Sequence, residues 1–170
     1  MSEFTSGFDE LESALRHLGS LGYEQPLTKA GHLVETEAKK LCPVDTAQLR
    51  GSIHTEVNGN EAIVGTNVVY APYVEYGTGM FSTLGNGRAG YWVFVKGSHG
   101  VSSGRRKEYT LQEAKRVMAI LRKKGLDAFY TCGSKPRPFL YPALANKRTE
   151  IEETFRQFYV DEAKIYLRGH

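Results

Sequence analysis

The sequence predicts an α+β fold, in which long amphipathic helices pack on one face of a twisted, mainly antiparallel sheet of about four strands. A narrow apolar stripe recurs at helical spacing in residues 27–41, alternating residues flank Asn58-Gly59, and a long helical pattern follows Pro142. The chain has 170 residues, of which 41% are hydrophobic. We therefore predict one domain over residues 1–170 with a core of its own.

Two helices are predicted at the start of the chain. After a frayed start over residues 1–6, apolar residues recur from Phe8 to Leu18, and Gly19 is expected to end the first helix. Pro26 is expected to open the second helix, because a proline lacks only an N–H that the first turn leaves unpaired. The apolar stripe of the second helix consists of Leu27, Ala30, Val34, Ala38 and Leu41.

A short helix and a hairpin are predicted next. Pro43 ends the second helix, and Asp45 or Thr46 is expected to cap a short helix that buries Leu49 and Ile53. Asparagine followed by glycine is a strong signal for a two-residue type I′ turn, because both residues tolerate a positive φ. We therefore place the turn of the hairpin at residues 58–59. The alternating strand residues are Ile53, Thr55 and Val57 before the turn, and Ala62 and Val64 after it.

A long segment interrupts this pattern in the second half of the chain. Residues 77–136 are predicted to form an inserted mobile arm, because residues 80–90 are rich in glycine and show no periodicity. The arm has its own helix at about 110–124, with Thr110 and Glu113 spaced as a capping box. The remaining predicted elements are strands at 91–95 and 126–131 and a last helix from Pro142 to about Arg168.

The residues that could carry chemistry form no recognisable catalytic or metal-binding pattern. None of the five histidines lies at a metal-ligand spacing from another histidine or from Cys42 or Cys132. A Cys42 nucleophile with His54 as its base would make a hydrolase, but nothing supplies the third group that orients such a base. We predict that the protein is not an enzyme and has no catalytic, cofactor-binding or metal-binding residues. A Cys-dependent hydrolase remains the weaker alternative.

Positive charge is concentrated in the predicted arm. A solvated helix face is one explanation, and contact with DNA phosphates or with an acidic partner is the other. Aromatic residues are not interleaved with these charges, so a DNA contact would be to the backbone and would carry no sequence preference. A DNA-binding accessory protein is therefore the alternative function. The candidate contact residues are Arg105, Arg106, Lys107, Arg116, Arg122, Lys123 and Lys124.

Three motifs carry a resemblance to a known family. PVDT at residues 43–46 with LRGSI at 49–53 resembles the pattern PVDTGxLRxSI. YAPYVEYGTG at residues 70–79 resembles YAxYVExGTG, and PRPFLYPA at residues 136–143 resembles PxPFLxPA. In this order, the motifs resemble those of the tailed-bacteriophage tail-completion family, also described as head–tail joining or neck proteins. Ala47 departs from the pattern, which usually has glycine there.

The resemblance implies a structural protein of virion assembly with no catalytic activity and no cofactor. Such proteins form a ring, most often of six subunits, at the head–tail junction of a phage or prophage. The implied neighbours are head–tail connector and tail-tube proteins, and the implied locations are the host cytoplasm during assembly and the virion neck or tail. We expect the free protein to be a monomer or a weak oligomer, because its loop-like contact elements lose conformational freedom on association. No membrane contact is expected.

The second motif supplies most of the candidate interface residues. Tyrosine suits an interface, because its ring covers area while its hydroxyl tolerates water. Glu75 has two interpretations: it accepts a backbone bond at a short helix end, for example from Thr78, or it pairs with an arginine such as Arg50 across a subunit interface. Both interpretations stay open at this point. The candidate residues are Arg50, Tyr70, Tyr73, Glu75, Tyr76 and Thr78.

Overall fold

The computed structural model describes residues 2–43, 47–97 and 107–169. The chain divides into two compact units, the first comprising Met1–Asn67 with Phe139–His170 and the second Val68–Pro138. The elements are α1 (Ser2–Ser20), α2 (Glu24–Leu41), α3 (Ala47–Ser52), β1 (His54–Asn58), β2 (Glu61–Gly65), α4 (Ala71–Tyr76), β3 (Trp92–Val95), α5 (Leu111–Lys123), β4 (Ala128–Thr131) and α6 (Leu140–Gly169). The predicted α+β class is confirmed. The single domain with a mobile arm at 77–136 stays a prediction.

Helix α2 is central to the first unit, where it packs against β1, β2 and α6. Its buried positions include Ala30, Val34 and Ala38, as the apolar stripe predicts. Gly31 is also buried, and a Cβ at this position would collide with the Thr55 side chain on β1. The helix backbone therefore lies directly against the hairpin.

Glu35 connects α2 to β1 through hydrogen bonds. Its carboxylate accepts hydrogen bonds from Thr55 Oγ1 at 2.8 Å and from Lys39 Nζ at 2.6 Å. His32 Nδ1 lies 3.3 Å from the same group. Burial raises the pKa of Glu35, but the bonds from Lys39 and Thr55 outweigh burial and lower the pKa to about 2. The carboxylate therefore stabilises the fold in its charged form.

Stability should depend on the ionisation of Glu35. Because the folded-state pKa lies below the ordinary value, the contribution is complete above about pH 5 and is lost as the pH falls towards about 2. We expect Glu35→Gln to lower the free energy of unfolding at neutral pH by about 1–2 kcal/mol. The difference between wild type and variant should shrink on acidification, as measured by urea unfolding at several pH values. A difference that stays constant across this range would contradict the assignment.

The hairpin turn lies one residue later than predicted. Asn58 pairs with Glu61, so the loop residues are Gly59 and Asn60 rather than Asn58 and Gly59. Gly59 has φ +59°, and no described residue other than glycine has a positive φ. This pattern is typical of a type II′ turn and not of the type I′ turn that was predicted.

The register explains the shift. It places Thr55 opposite Val64 and Val57 opposite Ala62, and all four side chains are half-buried on the same side of the hairpin. Thr55 also contacts α2 through Glu35. A turn at Asn58-Gly59 would keep the same residues on this side but would place Val57 opposite the exposed Asn60. Pairing the half-buried Val57 with the half-buried Ala62 therefore favours the observed register over the turn preference of the Asn-Gly pair.

Gly59→Val should destabilise the protein by on the order of 1 kcal/mol or more, because valine strongly disfavours a positive φ. No atom lies within 4 Å of the position that a Cβ would occupy, so the loss would come from backbone conformation alone. Gly59→Asn is the matched control and should lose less, since asparagine is common in such turns. Equal urea midpoints for wild type and the valine variant would contradict the observed turn.

Two helices begin before the prolines that were predicted to open them. Pro26 is the third residue of α2, and Pro142 is the third residue of α6. The first four N–H groups of a helix have no partner within it, so proline is tolerated throughout the first turn. Helix α1 differs at both ends, because residues 2–6 are helical rather than frayed and the helix continues past Gly19.

The largest fully buried side chains are Phe139 and Ile53, which are 0% and 1% exposed. Leu49 is 2% exposed on α3, so the predicted burial of the short helix is confirmed. Its predicted caps, Asp45 and Thr46, lie outside the described residues. Phe139 immediately precedes α6, and its predicted role as a core residue is confirmed.

The second unit contains α5 and a separate pair of strands. Glu113 N donates to Thr110 Oγ1 at 3.4 Å and Thr110 N donates to the Glu113 carboxylate at 2.8 Å, which confirms the capping box. Strands β3 and β4 are antiparallel, with Trp92 opposite Thr131, and α5 packs against both. The described strands thus form two two-stranded sheets and not one sheet of about four. The reason is that β3 finds its partner within its own unit.

Candidate interface site

The second motif folds into α4 and the turn that follows it. Tyr70 precedes the helix, and Pro72 occupies its first turn. Gly77 ends the helix with φ +73°. A Cβ at Gly77 would lie 2.9 Å from the Pro136 ring and from the carbonyl oxygen of Phe81. Glycine is therefore required here both by its conformation and by close packing.

The last carbonyl groups of α4 are bonded to two other segments. Arg137 N donates to Val74 O at 2.8 Å. Thr83 donates to Tyr76 O from its backbone N at 2.9 Å and from its hydroxyl at 3.1 Å. Two of the orphan carbonyls of this short helix are therefore satisfied, and the bonds fix its position within the second unit.

A backbone ladder holds the segment that follows α4. Thr78 N donates to Ser134 O at 2.9 Å, and Met80 N donates to Cys132 O at 2.9 Å. The two backbone segments approach so closely that a Cβ on Gly79 would collide with Cys132 O, and one on Gly133 would collide with Thr78 O. This junction tolerates only glycine at both positions, and it is rigid.

These contacts shape a cleft of about 340 Å³ on the second unit. Tyr73 and Leu84, which are 59% and 57% exposed, form part of its lining. The Arg88 guanidinium lies 4.7 Å from the centre of the Trp92 ring. Tyrosine, tryptophan and arginine are the residue types that most often dominate binding energy at protein interfaces. The cleft therefore has the composition and rigidity of a protein-binding site.

One known protein family is similar to the first part of the chain. Residues 9–77 match the family described as "Bacteriophage HK97-gp10, putative tail-component". The matched residues run from α1 to the glycine that ends α4. The resemblance drawn from the sequence motifs is confirmed over this range. No curated protein and no solved structure gives a significant match.

The structure brings some of the predicted interface residues together. Tyr73 and Thr78 both line the cleft. Tyr76 is 41% exposed on the same helix, whereas Tyr70 is half-buried at the start of α4. Arg50 is exposed on α3, in the first unit. The assignment of all these residues to an interface stays a prediction.

Glu75 lies on the inner side of α4 and is only 5% exposed. Thr78 N donates to Ser134 O at 2.9 Å, and the predicted bond from Thr78 to Glu75 stays a prediction. A lysine at this position would have to bury an ammonium group, and burial of a charge lowers stability unless the charge is paired and hydrogen-bonded. The burial agrees with a structural role for Glu75 within the subunit, and the pair with Arg50 across a subunit interface stays a prediction.

Leu84, Arg88 and Trp92 are among the cleft residues that were not predicted. Trp92 was recognised only as a strand residue, and the other two fall in the glycine-rich stretch that was interpreted as mobile. Gly87 offers the missed signal, because a Cβ there would collide with Gly79 O. Gly87 is therefore a position where two backbone segments pack closely together.

The predicted DNA-contact residues have different surroundings. Arg122 Nε donates to Ala128 O at 2.8 Å, and its guanidinium lies 5.3 Å from the Phe129 ring centre. Arg122 therefore holds α5 against β4. Lys107 Nζ lies 5.4 Å from the Tyr109 ring centre. Arg116, Lys123 and Lys124 are exposed, whereas Arg105 and Arg106 lie outside the described residues.

The contacts of Cys42 and His54 argue against a catalytic pair. Burial raises the pKa of the Cys42 thiol despite the opposing charge of Arg50, and a thiol with a raised pKa is a poor nucleophile. His54 Nδ1 lies 2.8 Å from Ser52 O, and its Nε2 lies 3.0 Å from the Glu56 carboxylate. Both nitrogens of the supposed base are thus engaged elsewhere.

Residues 2–43, 47–97 and 107–169 contain neither a candidate metal-binding group nor a candidate membrane-spanning helix. Within these ranges, no group of three or more histidine, cysteine, aspartate or glutamate residues could hold a metal ion. Over the same part of the chain, no helix combines the length and the apolar character needed to cross a membrane. Cys42 and Cys132 are both free thiols.

Proposed function

We propose that this chain is a structural subunit of a phage virion that completes or joins the tail at the head–tail junction. The proposal is supported by the tail-component match over residues 9–77 and by the motif resemblance that continues to residue 143. The subunit works as part of a closed ring, most often of six copies, and contacts a head–tail connector or tail-tube protein. It is assembled in the bacterial cytoplasm and has no enzymatic step.

The observation that carries this proposal is the rigid cleft beside α4. A ring needs head-to-tail contacts in which one surface of a subunit meets a different surface of its neighbour. The cleft suits such a contact, because Tyr73 and Trp92 are presented on a backbone fixed by the junction at Gly79. Little order has to be created at this surface on binding, so the residues act as preformed anchors.

Tyr73→Ala should impair head–tail joining without unfolding the subunit. The side chain is 59% exposed, so its removal creates no core cavity but takes away an aromatic anchor whose loss can weaken an interface by about 2 kcal/mol or more. The measurement is complementation of a phage that lacks this gene, with counts of unjoined heads and tails by electron microscopy. Circular dichroism confirms that the variant is folded.

Tyr141→Ala is the matched control, because Tyr141 is a tyrosine that is 76% exposed on α6, in the other unit. We expect it to complement fully. Full complementation by Tyr73→Ala, or an equal defect in both variants, would contradict the role of the cleft. Light scattering of the wild-type protein tests the assembly state, and a tight oligomer at low concentration would contradict the expectation that the free protein is a monomer or a weak oligomer.

A further inference from the structure

Charge is distributed unevenly between the two units. Residues 68–138 contain twelve lysines and arginines against four aspartates and glutamates, a net charge of +8. The remaining residues contain ten basic against fifteen acidic side chains, a net charge of −5. The mild overall charge of +3 therefore hides a strongly basic second unit.

Part of this charge forms a stripe on α5. Ala114 is fully buried and marks the inner face of the helix. The opposite face presents Lys115, Arg116 and Lys123, all exposed. At helical rise, these cations span about 12 Å along the axis. Gln112 and Ala119 also lie on this face, Ile120 is 55% exposed at its edge, and α5 contains no aromatic residue.

The cations of the stripe have no acidic partner. Among the residues that the structure describes, Lys115, Arg116 and Lys123 form no ion pair within 4 Å. The nearest acid in sequence is Glu113, whose carboxylate already accepts two hydrogen bonds from Thr110. The pKa of Glu113 is lowered mainly by the hydrogen bonds from Thr110 and also by the charge of Arg116, so this acid offsets part of the positive charge at the start of the stripe.

Helix α6 shows the opposite arrangement. Three of its five cations are matched along the helix, with Lys147 at 2.5 Å from Glu150, Arg148 at 3.1 Å from Glu152 and Arg156 at 3.8 Å from Glu153. The opposite charges of these pairs largely cancel each other. The contrast indicates that the unmatched charge of α5 is a property of that face and not of surface helices in this chain generally.

We propose that the exposed face of α5 binds the phosphate backbone of double-stranded DNA without reading its sequence. Three unpaired cations on a flat face provide electrostatic attraction to successive phosphates, and the lack of aromatic side chains excludes base stacking there. The acidic first unit disfavours DNA contact and so restricts binding to the second unit. This inference goes beyond the proposed function and does not depend on it.

The test is a triple variant, Lys115→Gln with Arg116→Gln and Lys123→Gln, in the full chain. Glutamine keeps a good helix propensity and removes only the charge. Fluorescence anisotropy with two 24-bp duplexes of unrelated sequence measures affinity across salt concentrations. We expect equal affinity for both duplexes. The variant should bind at least about tenfold more weakly at low salt, with a salt slope smaller by about 2–3.

The matched control changes three cations of α6, namely Arg148, Arg156 and Lys164, to glutamine. It lowers the net charge by the same amount and should keep the wild-type salt slope. No binding by the wild-type protein at low salt, or a wild-type slope in the α5 variant, would overturn the proposal. So would competition by polyglutamate as effective as unlabelled DNA, which would indicate an acidic protein partner. Because this assay uses isolated protein, its result is separate from the complementation test of Tyr73→Ala.

Discussion

Phe139→Ala is expected to lower the free energy of unfolding by about 3–5 kcal/mol, the range found when a fully buried phenylalanine is truncated. The ring is 0% exposed, and Pro138 before it fixes the approach of the chain to α6. Ala143, one turn later on the helix, is also fully buried. Truncation of the ring would leave a cavity in this part of the core, which adds to the loss of buried apolar surface.

Urea unfolding measures this loss, and two variants make it specific. Phe139→Leu should lose clearly less, because it removes fewer atoms from the core. Phe94→Ala changes a phenylalanine that is 46% exposed on β3 and should cost much less than Phe139→Ala. If Phe139→Ala kept the wild-type stability but failed to assemble, Phe139 would face a partner rather than the core.

The features that sequence reasoning predicted correctly are local ones. Thr110 and Glu113 lie three residues apart, so their side chains and backbones meet once a helix forms. Gly125 lies just after that helix and has φ +80°, the conformation in which glycine commonly ends a helix. Such signals depend on a few neighbouring residues, and the rest of the fold does not alter them.

The features that sequence reasoning missed depend on contacts between distant residues. The turn at Gly59 was displaced because pairing of half-buried side chains across the hairpin favours the observed register. The burial of Glu75 and the cleft beside Trp92 arise because residues 78–80 pair with residues 132–134. No periodicity in the sequence reports such a pairing, and glycine-rich stretches are compatible with either mobility or close packing.

Trp92 provides a direct way to observe the junction that shapes the cleft. It is the single tryptophan of the chain and lines the cleft, and a Cβ on Gly79 would lie 2.9 Å from its ring. Its fluorescence therefore reports on the packing at this junction. A change in the backbone at Gly79 should be visible in both stability and emission.

Gly79→Ala should destabilise the second unit by roughly 2–4 kcal/mol, because a φ of +59° costs an alanine about 1–2 kcal/mol and its methyl group also collides with Cys132 O. Gly85→Ala is the matched control. Gly85 has a similar φ of +72°, but no atom lies within 4 Å of its Cβ position. The Gly85→Ala variant should therefore lose only the stability that corresponds to the unfavourable φ of alanine. Urea unfolding followed by Trp92 fluorescence measures both variants, and the emission should shift to the red only for Gly79→Ala, as the ring is displaced towards water. Equal losses in the two variants, with unchanged emission, would show that the close approach of Gly79 and Cys132 does not hold the cleft together.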